Sequence, residues 1–302
     1  MKLSNKVSVR DVDLKGKRVL MRKVKADSAA VKRFAAQLSA LGDIYVNDAF
    51  GTAHRAHASV VGISLNPRCA GLLLEKELTY FDKALNNPQR PFLSILGGAK
   101  VHDKIQLIES LLERVDYMII GGGMAYTFLK VLRNMPIGNS LYDEAGAKLV
   151  PQIMEKAKQR GVEILFPVDF VVSSEYGENG VIKAATLEEG VPDGFESLDC
   201  GPRTIKQARD RILQCKTIVW NGPQGVSEMQ SFAKGSLGFV DAVVEATKLG
   251  AVSIVGGGDT GALVERAGVA DKFSHVSTGG GASLELLEGK DLPGVVALSD
   301  KH

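Results

Sequence analysis

One pattern recurs five times in the chain: an apolar, β-branched run breaks at once into glycines and then into an amphipathic helical stretch. It reads FLSILGGAK from Phe92, YMIIGGGMA from Tyr117, TIVWNGPQG from Thr217, VSIVGGGDT from Val252 and SHVSTGGGAS from Ser274. Short continuous apolar runs suit strands buried on both faces, and their alternation with helices suits a parallel sheet with crossover helices. The pattern therefore predicts an α/β, doubly wound domain. Unequal intervals between the copies exclude a solenoid repeat. After Lys100, the apolar positions Val101, Ile105, Ile108, Leu112 and Val115 fall at helical spacing. EILFPVDFVV, from Glu163, reads as one further strand.

The stretch Asn86-Asn87-Pro88-Gln89-Arg90-Pro91 punctuates the chain after a helix with Leu74, Leu78, Phe81 and Leu85 on one face. A domain boundary is expected there. Ahead of it lie a strand-like run at Val19-Leu20-Met21, a helix from Ser28 to Leu41 closed by Gly42, and the strand-like DIYVNDAF. Asp27 or Ser28 suits the N-cap of that helix, and Val31, Phe34, Leu38 and Leu41 form its expected buried stripe. Two strands and a few helices are a thin basis for an independent lobe.

Lys and Arg number 37 against 35 Asp and Glu in 302 residues, so no overall basic field attracts nucleic acid or a membrane. Cys69, Cys200 and Cys215 are few, odd in number and without metal-ligand or redox spacing, which suits reduced thiols and a cytoplasmic setting. The N-terminus is too polar for a signal peptide, no apolar run reaches the length of a membrane span, and the ending Asp300-Lys301-His302 is not a peroxisomal signal. With charge so evenly balanced, any charged partner must be met locally.

In open parallel sheets, ligands bind beyond the carboxyl ends of the strands, where helix N-termini offer unpaired amides. Glycines there let a backbone approach a phosphate, although strand-to-helix corners need glycine in any case. One such corner decides nothing; five together favour a nucleotide cradle. The chain has neither a Walker GxxxxGK[ST] nor a dinucleotide GxGxxG. Lys100 and Lys104 are expected one turn apart at a helix start, either flanking an anion or as two solvated lysines. Asp259, in GGGDT, suits either an N-cap or a magnesium ion shared with phosphates. Glu228 suits ribose hydroxyls or open solvent. GTAHRAH, from Gly51, suits either a phosphorylated or carboxylate substrate or a solvent-exposed loop.

Together, LSNKVSVRDVDLKGKRVLMR, YVNDAFGTAHRAHAS, ILGGAKVHDKIQLI, IIGGGMA, FPVDF, LDCGP, VWNGPQGV, IVGGGDT and HVSTGGGASLELLEGK make the chain resemble the phosphoglycerate kinase family across nearly its whole length. The resemblance implies a two-lobed α/β fold: a substrate lobe over 1–73, an interdomain helix over 74–87, a Rossmann-like nucleotide-binding domain over 88–285, and a tail over 286–302 returning toward the first lobe. It implies that Gly98, Ala99, Gly122, Gly123, Leu141, Leu198, Asn221, Gly222, Pro223, Val226 and Glu228 line a nucleotide site. Gly257, Gly258, Asp259 and Thr260 match phosphate and metal positions, Asp103 a position near the metal, and His54 and Arg55 the substrate side. Lys104 matches a lysine on the nucleotide phosphates, and Lys100 one that follows the phosphoryl group in transfer. Ser197, Gln224 and Ser227 depart from the family pattern.

The largest departure follows Arg22. There the family continues Val-Asp-Phe-Asn-Val-Pro into several strand-helix units with a His-Leu-Gly-Arg-Pro loop, whereas this chain passes straight to Lys23-Val24-Lys25. The activity implied is reversible phosphoryl transfer from 1,3-bisphosphoglycerate to ADP, giving 3-phosphoglycerate and ATP with Mg²⁺. The alternative is a catalytically impaired remnant that retains only MgADP or MgATP binding. A nicotinamide-dependent oxidoreductase is weakened by the absent fingerprint.

Overall fold

The computed structural model describes residues 6–8 and 23–300. Two compact units emerge, one running to Glu77 and resuming at Asp291, the other comprising Leu78–Lys290. The run at Val19-Leu20-Met21 lies outside the described residues.

In the first unit, strand β1 (Lys6–Ser8) pairs antiparallel with β2 (Lys23–Lys25), Val7 opposite Val24. Helix α1 (Ser28–Ser39) starts at Asp27, whose carboxylate accepts the Ala30 N–H at 2.7 Å. The stripe expected to end at Leu41 does not. The helix stops at Ser39, Leu41 leaves its periodicity and is 81% exposed, and the buried position is Ala35. Strand β3 (Tyr45–Asn47), the short helix α2 (Ala58–Val61) and β4 (Arg68–Ala70) follow, β3 and β4 lying parallel.

The Arg68 guanidinium reaches back to the Val60 and Ile63 carbonyls at 3.0 and 2.8 Å, satisfying the open end of α2. Asp48 accepts the Leu73 and Leu74 amides at 2.7 and 3.0 Å and so caps helix α3 (Leu72–Leu85), inside which the two units divide. From Asp291 onward the chain belongs to the first unit: Gly294 N–H donates to the Ala53 carbonyl at 2.8 Å, and Ser299 N–H to the Arg68 carbonyl at 2.9 Å.

The second unit opens with β5 (Phe92–Leu96), α4 (Ile105–Leu112), β6 (Tyr117–Ile120), α5 (Gly123–Arg133), α6 (Glu144–Ala147), α7 (Val150–Arg160) and β7 (Glu163–Leu165). Strands β8 (Asp169–Ser173), β9 (Ile182–Thr186) and β10 (Glu196–Cys200) come next, then α8 (Pro202–Ile212) and β11 (Thr217–Asn221). The unit closes with α9 (Lys234–Lys248), β12 (Val252–Gly256), α10 (Gly258–Arg266), β13 (His275–Val276) and α11 (Gly281–Leu287).

All five recurrent runs become strands of one parallel six-stranded sheet, ordered β13-β12-β11-β5-β6-β7. Its central strands are buried along their length, as continuous apolar runs require, and Ile95, Ile218, Trp220, Phe239, Val243 and Leu263 lie in one core cluster. The chain adds β6 and β7 on one side of β5, then returns to add β11, β12 and β13 on the other. The winding therefore reverses between β5 and β11, and such a switch point leaves a crevice beyond the strand ends.

Two expectations change here. EILFPVDFVV is two strands: β7 belongs to the parallel sheet, while β8 joins a separate antiparallel sheet ordered β10-β8-β9. Pro167, which has no N–H to donate to a ladder, stands in the gap between them. The helix after Lys100 also starts late. Its first turn, His102–Lys104, is a 3₁₀ turn, α4 proper starts at Ile105, and Val115 is buried just past its end. Among the described residues no helix is long and apolar enough to cross a membrane, and Cys69, Cys200 and Cys215 are free thiols.

Candidate functional site

Four strand ends meet at the switch point, and backbone contact between them explains the glycines. Gly97, after β5, donates its N–H to the Asn221 carbonyl at the end of β11 at 2.9 Å. A Cβ on Gly97 would sit 1.9 Å from the Pro223 carbonyl oxygen, and one on Gly222, whose φ is +99°, 2.4 Å from that of Gly97. Only glycine permits this approach. Gly122, at φ +63°, turns β6 into α5, and Gly257, at φ +90°, turns β12 into α10. Helix N-termini thus open beside the cleft with amides that have no partner within the helix.

The cleft has two compartments that share Gly98, Ala99, Pro223 and Asp259 as walls. The larger, about 380 Å³, is mainly apolar and is bounded by Gly122, Gly123, Leu141, Leu198, Val226 and Glu228. The smaller, about 290 Å³, is the more polar of the two and is bounded by Lys100, Asp103, Lys104, Asn221, Gly222, Gly257, Gly258 and Thr260. Every residue singled out above for a nucleotide, phosphate or metal borders one compartment or the other. His54 and Arg55 lie in the first unit, on the turn after the 3₁₀ helix Phe50–Thr52, His54 partly buried and Arg55 exposed.

The lysine pair differs from expectation. Lys100 is exposed in the loop before the 3₁₀ turn and Lys104 stands at the N-cap of α4, so they flank a turn and are not stacked on a helix face. Lys104 Nζ donates to Asn221 Oδ1 at 2.5 Å and to the Asn221 carbonyl at 3.3 Å. Burial lowers the Lys104 pKa to about 8, against the opposing pull of the Asp259 carboxylate. A half-desolvated cation of this kind gains by taking up a further anion.

Thr260 is fully buried, and its hydroxyl accepts the Gly222 N–H at 2.7 Å. That bond fixes the turn after β11. Asp259, in the first turn of α10, is the carboxylate common to both compartments. Among the described residues no cluster of three His, Cys, Asp or Glu forms an all-protein metal cage. One or two carboxylates beside a polar, glycine-walled pocket suit a magnesium ion that takes its remaining ligands from phosphate oxygens and water.

Several bordering residues had no local signal in the sequence. Tyr126 and Tyr176 line the larger compartment; Tyr176 sits between β8 and β9 in the antiparallel sheet, far along the chain from any glycine corner. The Tyr126 hydroxyl donates to Ser197 Oγ at 2.9 Å, and burial pushes the phenol well above its ordinary range. The departures Ser197 and Gln224 border the same compartment. Gln224 fills the space over Gly121, where a Cβ would lie 1.8 Å from its side-chain oxygen. Ser227 takes a 3.2 Å bond from Arg266.

Two further carboxylates support the walls. Burial raises Asp199 to about 7, although it accepts the Gly235 and Cys200 amides at 2.7 and 2.9 Å. Burial would also raise Asp143, but bonds from the His102 and Gly146 amides and the His102 ring hold it down at about 2.

The phosphoglycerate kinase family profile matches residues 21–290. The chain is 61% identical over 279 residues to a phosphoglycerate kinase of Plasmodium falciparum, with 92% of this chain and 67% of the relative covered. It is 60% identical over 286 residues to phosphoglycerate kinase 2 of Mus musculus, with 95% and 69% covered. A solved phosphoglycerate kinase structure from Coxiella burnetii superposes with a TM-score of 0.81 at 41% identity, covering 88% of this chain and 68% of that one. The chain therefore spans about two thirds of the length of these relatives. It belongs to the phosphoglycerate kinase family, a family of kinases.

Proposed function

From this family membership we propose that Leu78–Lys290 binds MgADP or MgATP in its switch-point cleft, and that the activity is reversible phosphoryl transfer between 1,3-bisphosphoglycerate and ADP, giving 3-phosphoglycerate and ATP. One observation carries the reading. Glycine corners of β5, β6, β11 and β12 converge around a polar pocket holding Lys104 and Asp259, next to an apolar pocket of a size that suits a purine base.

In this reading the larger compartment, with Leu141, Leu198 and Val226, takes the base, and Glu228 the ribose. The glycine amides, Lys104 and Asn221 take the phosphates. Lys100, free to swing because it is exposed in a loop, follows the phosphoryl group. Asp259, with Asp103 beside it, would hold Mg²⁺, which neutralises charge on the phosphate oxygens. His54 and Arg55 serve the phosphoglycerate side. Transfer of this kind rests on positioning and charge neutralisation, so no covalent enzyme intermediate is needed. The same reading makes the protein a cytoplasmic, monomeric enzyme of glycolysis with small-molecule partners, its substrate lobe over 1–73, its interdomain helix over 74–87, its nucleotide domain over 88–285 and its tail over 286–302.

A second reading is favoured by the chain's length. With about two thirds of its relatives' span, and with the family's strand-helix units after Arg22 replaced by Lys23-Val24-Lys25, nucleotide binding persists without turnover. A coupled assay of ATP consumption with 3-phosphoglycerate separates the two. Turnover supports the first reading; MgADP-dependent thermal stabilisation without turnover supports the second. Neither turnover nor stabilisation by a folded chain overturns both.

A further inference from the structure

The two compartments are walled by segments far apart in sequence. Lys100, Asp103 and Lys104 border the polar one, while Leu141, in the loop between α5 and α6, borders the apolar one. His102 joins these segments across 41 residues. Its backbone N–H donates to Asp143 Oδ2 at 2.9 Å, and its ring Nδ1 lies 2.8 Å from both carboxylate oxygens of Asp143. On the other side of the ring, Nε2 lies 3.1 Å from Asp103 Oδ1.

Asp143 is a firm anchor. Its side chain is 4% exposed, and its own N–H donates to Thr127 Oγ1 on α5 at 3.0 Å. Gly146 lets α6 close over it, since a Cβ there would lie 2.4 Å from Asp143 Oδ2.

We propose that His102 is a positioning residue whose imidazole, clasped by Asp143 and Asp103, ties the phosphate-side turn to the base-side loop so that one nucleotide engages both compartments at once. The inference rests on the nucleotide reading given above. Its physical content is effective concentration: when two half-sites are held at a set spacing, the second half of a ligand binds intramolecularly, and a loosened spacing costs affinity only for ligands that span both. His102 does not itself line either compartment, and its backbone bond to Asp143 survives replacement of the ring, so a side-chain change perturbs the tie and leaves the fold.

The test measures MgADP, adenosine and magnesium pyrophosphate binding by ligand-observed NMR titration in the wild type, His102→Ala and His102→Asn, with melting temperatures of all three. The expected result is a roughly 3- to 10-fold weaker MgADP in His102→Ala, with adenosine and pyrophosphate each unchanged within about twofold. His102→Asn, whose amide N–H can still reach Asp143, recovers most of the loss. An unchanged MgADP affinity in His102→Ala overturns the proposal. So does an equal loss for all three ligands with a lowered melting temperature, which marks a structural role only. If the folded wild type itself fails to bind MgADP, the nucleotide reading falls first and this inference with it.

Discussion

Lys104 Nζ lies 2.5 Å from the side-chain oxygen of Asn221, and the Asn221 amide in turn donates to the Gly256 carbonyl at 3.1 Å. The cation is thereby aimed by the ends of β11 and β12, at the point where the sheet reverses its winding. A charge held this way is placed before any ligand arrives, and little ordering remains to be done on binding.

Replacing Lys104 by Met removes that charge at nearly constant bulk. A hydrogen bond to a charged group contributes about 1.5–3 kcal/mol, so MgADP affinity should fall by about 10- to 150-fold by calorimetry. The melting temperature of the free protein should not fall in step, because burial already disfavours the charged lysine.

The glycine corners separate folding from binding. Gly97→Ala places a Cβ 1.9 Å from a backbone oxygen, and Gly222→Ala meets both a 2.4 Å backbone contact and φ +99°. Each should destabilise the protein by more than about 2 kcal/mol in urea unfolding. At Gly258, where an added Cβ meets nothing within 4 Å, Ala should leave stability within about 0.5 kcal/mol while weakening MgADP, since the new methyl stands in the polar compartment's wall.

Asp199 sets a pH dependence. Its folded pKa is raised from 3.8 to about 7, so the stability tied to its neutral form is full below about pH 4 and is lost as pH rises through 7. The slope cannot exceed about 1.4 kcal/mol per pH unit for one proton. Asp143 has the opposite sign in a different window, with stability present above 3.8 and lost as pH falls toward 2. Urea midpoints measured from pH 3 to 8 in the wild type and Asp199→Asn check this: the fall between 4 and 7 should flatten in the variant.

The glycine-ended strands were legible because each carries its own evidence: a run buried on both faces is apolar throughout, and its corner needs glycine whatever the partner strand is. The residues bordering the cleft followed from those corners and from the family resemblance. What escaped depends on contacts through space. Strand β4 is Arg68-Cys69-Ala70, with no apolar alternation, and is a strand because β3 lies beside it. The run from Glu163 looked continuous until Pro167 divided it between two sheets. Leu41 read as core by spacing alone, yet its helix had already ended. The His102–Asp143 tie spans 41 residues and leaves no periodic trace.

Trp220, the single tryptophan, is fully buried and donates its ring N–H to the Gly222 carbonyl at 2.7 Å, beside the cleft. Its emission should be blue-shifted in the native protein and move red when Leu78–Lys290 unfolds. At MgADP a hundredfold above its Kd, that transition should move up by about 2.7 kcal/mol. An unmoved transition at saturating MgADP would contradict the assignment.

The most direct measurement is isothermal titration of the whole chain with MgADP, with Trp220 emission confirming the folded state. One saturable site per chain is the predicted result. No saturable heat from a chain whose tryptophan is still buried would mean that the switch-point cleft is not a nucleotide site.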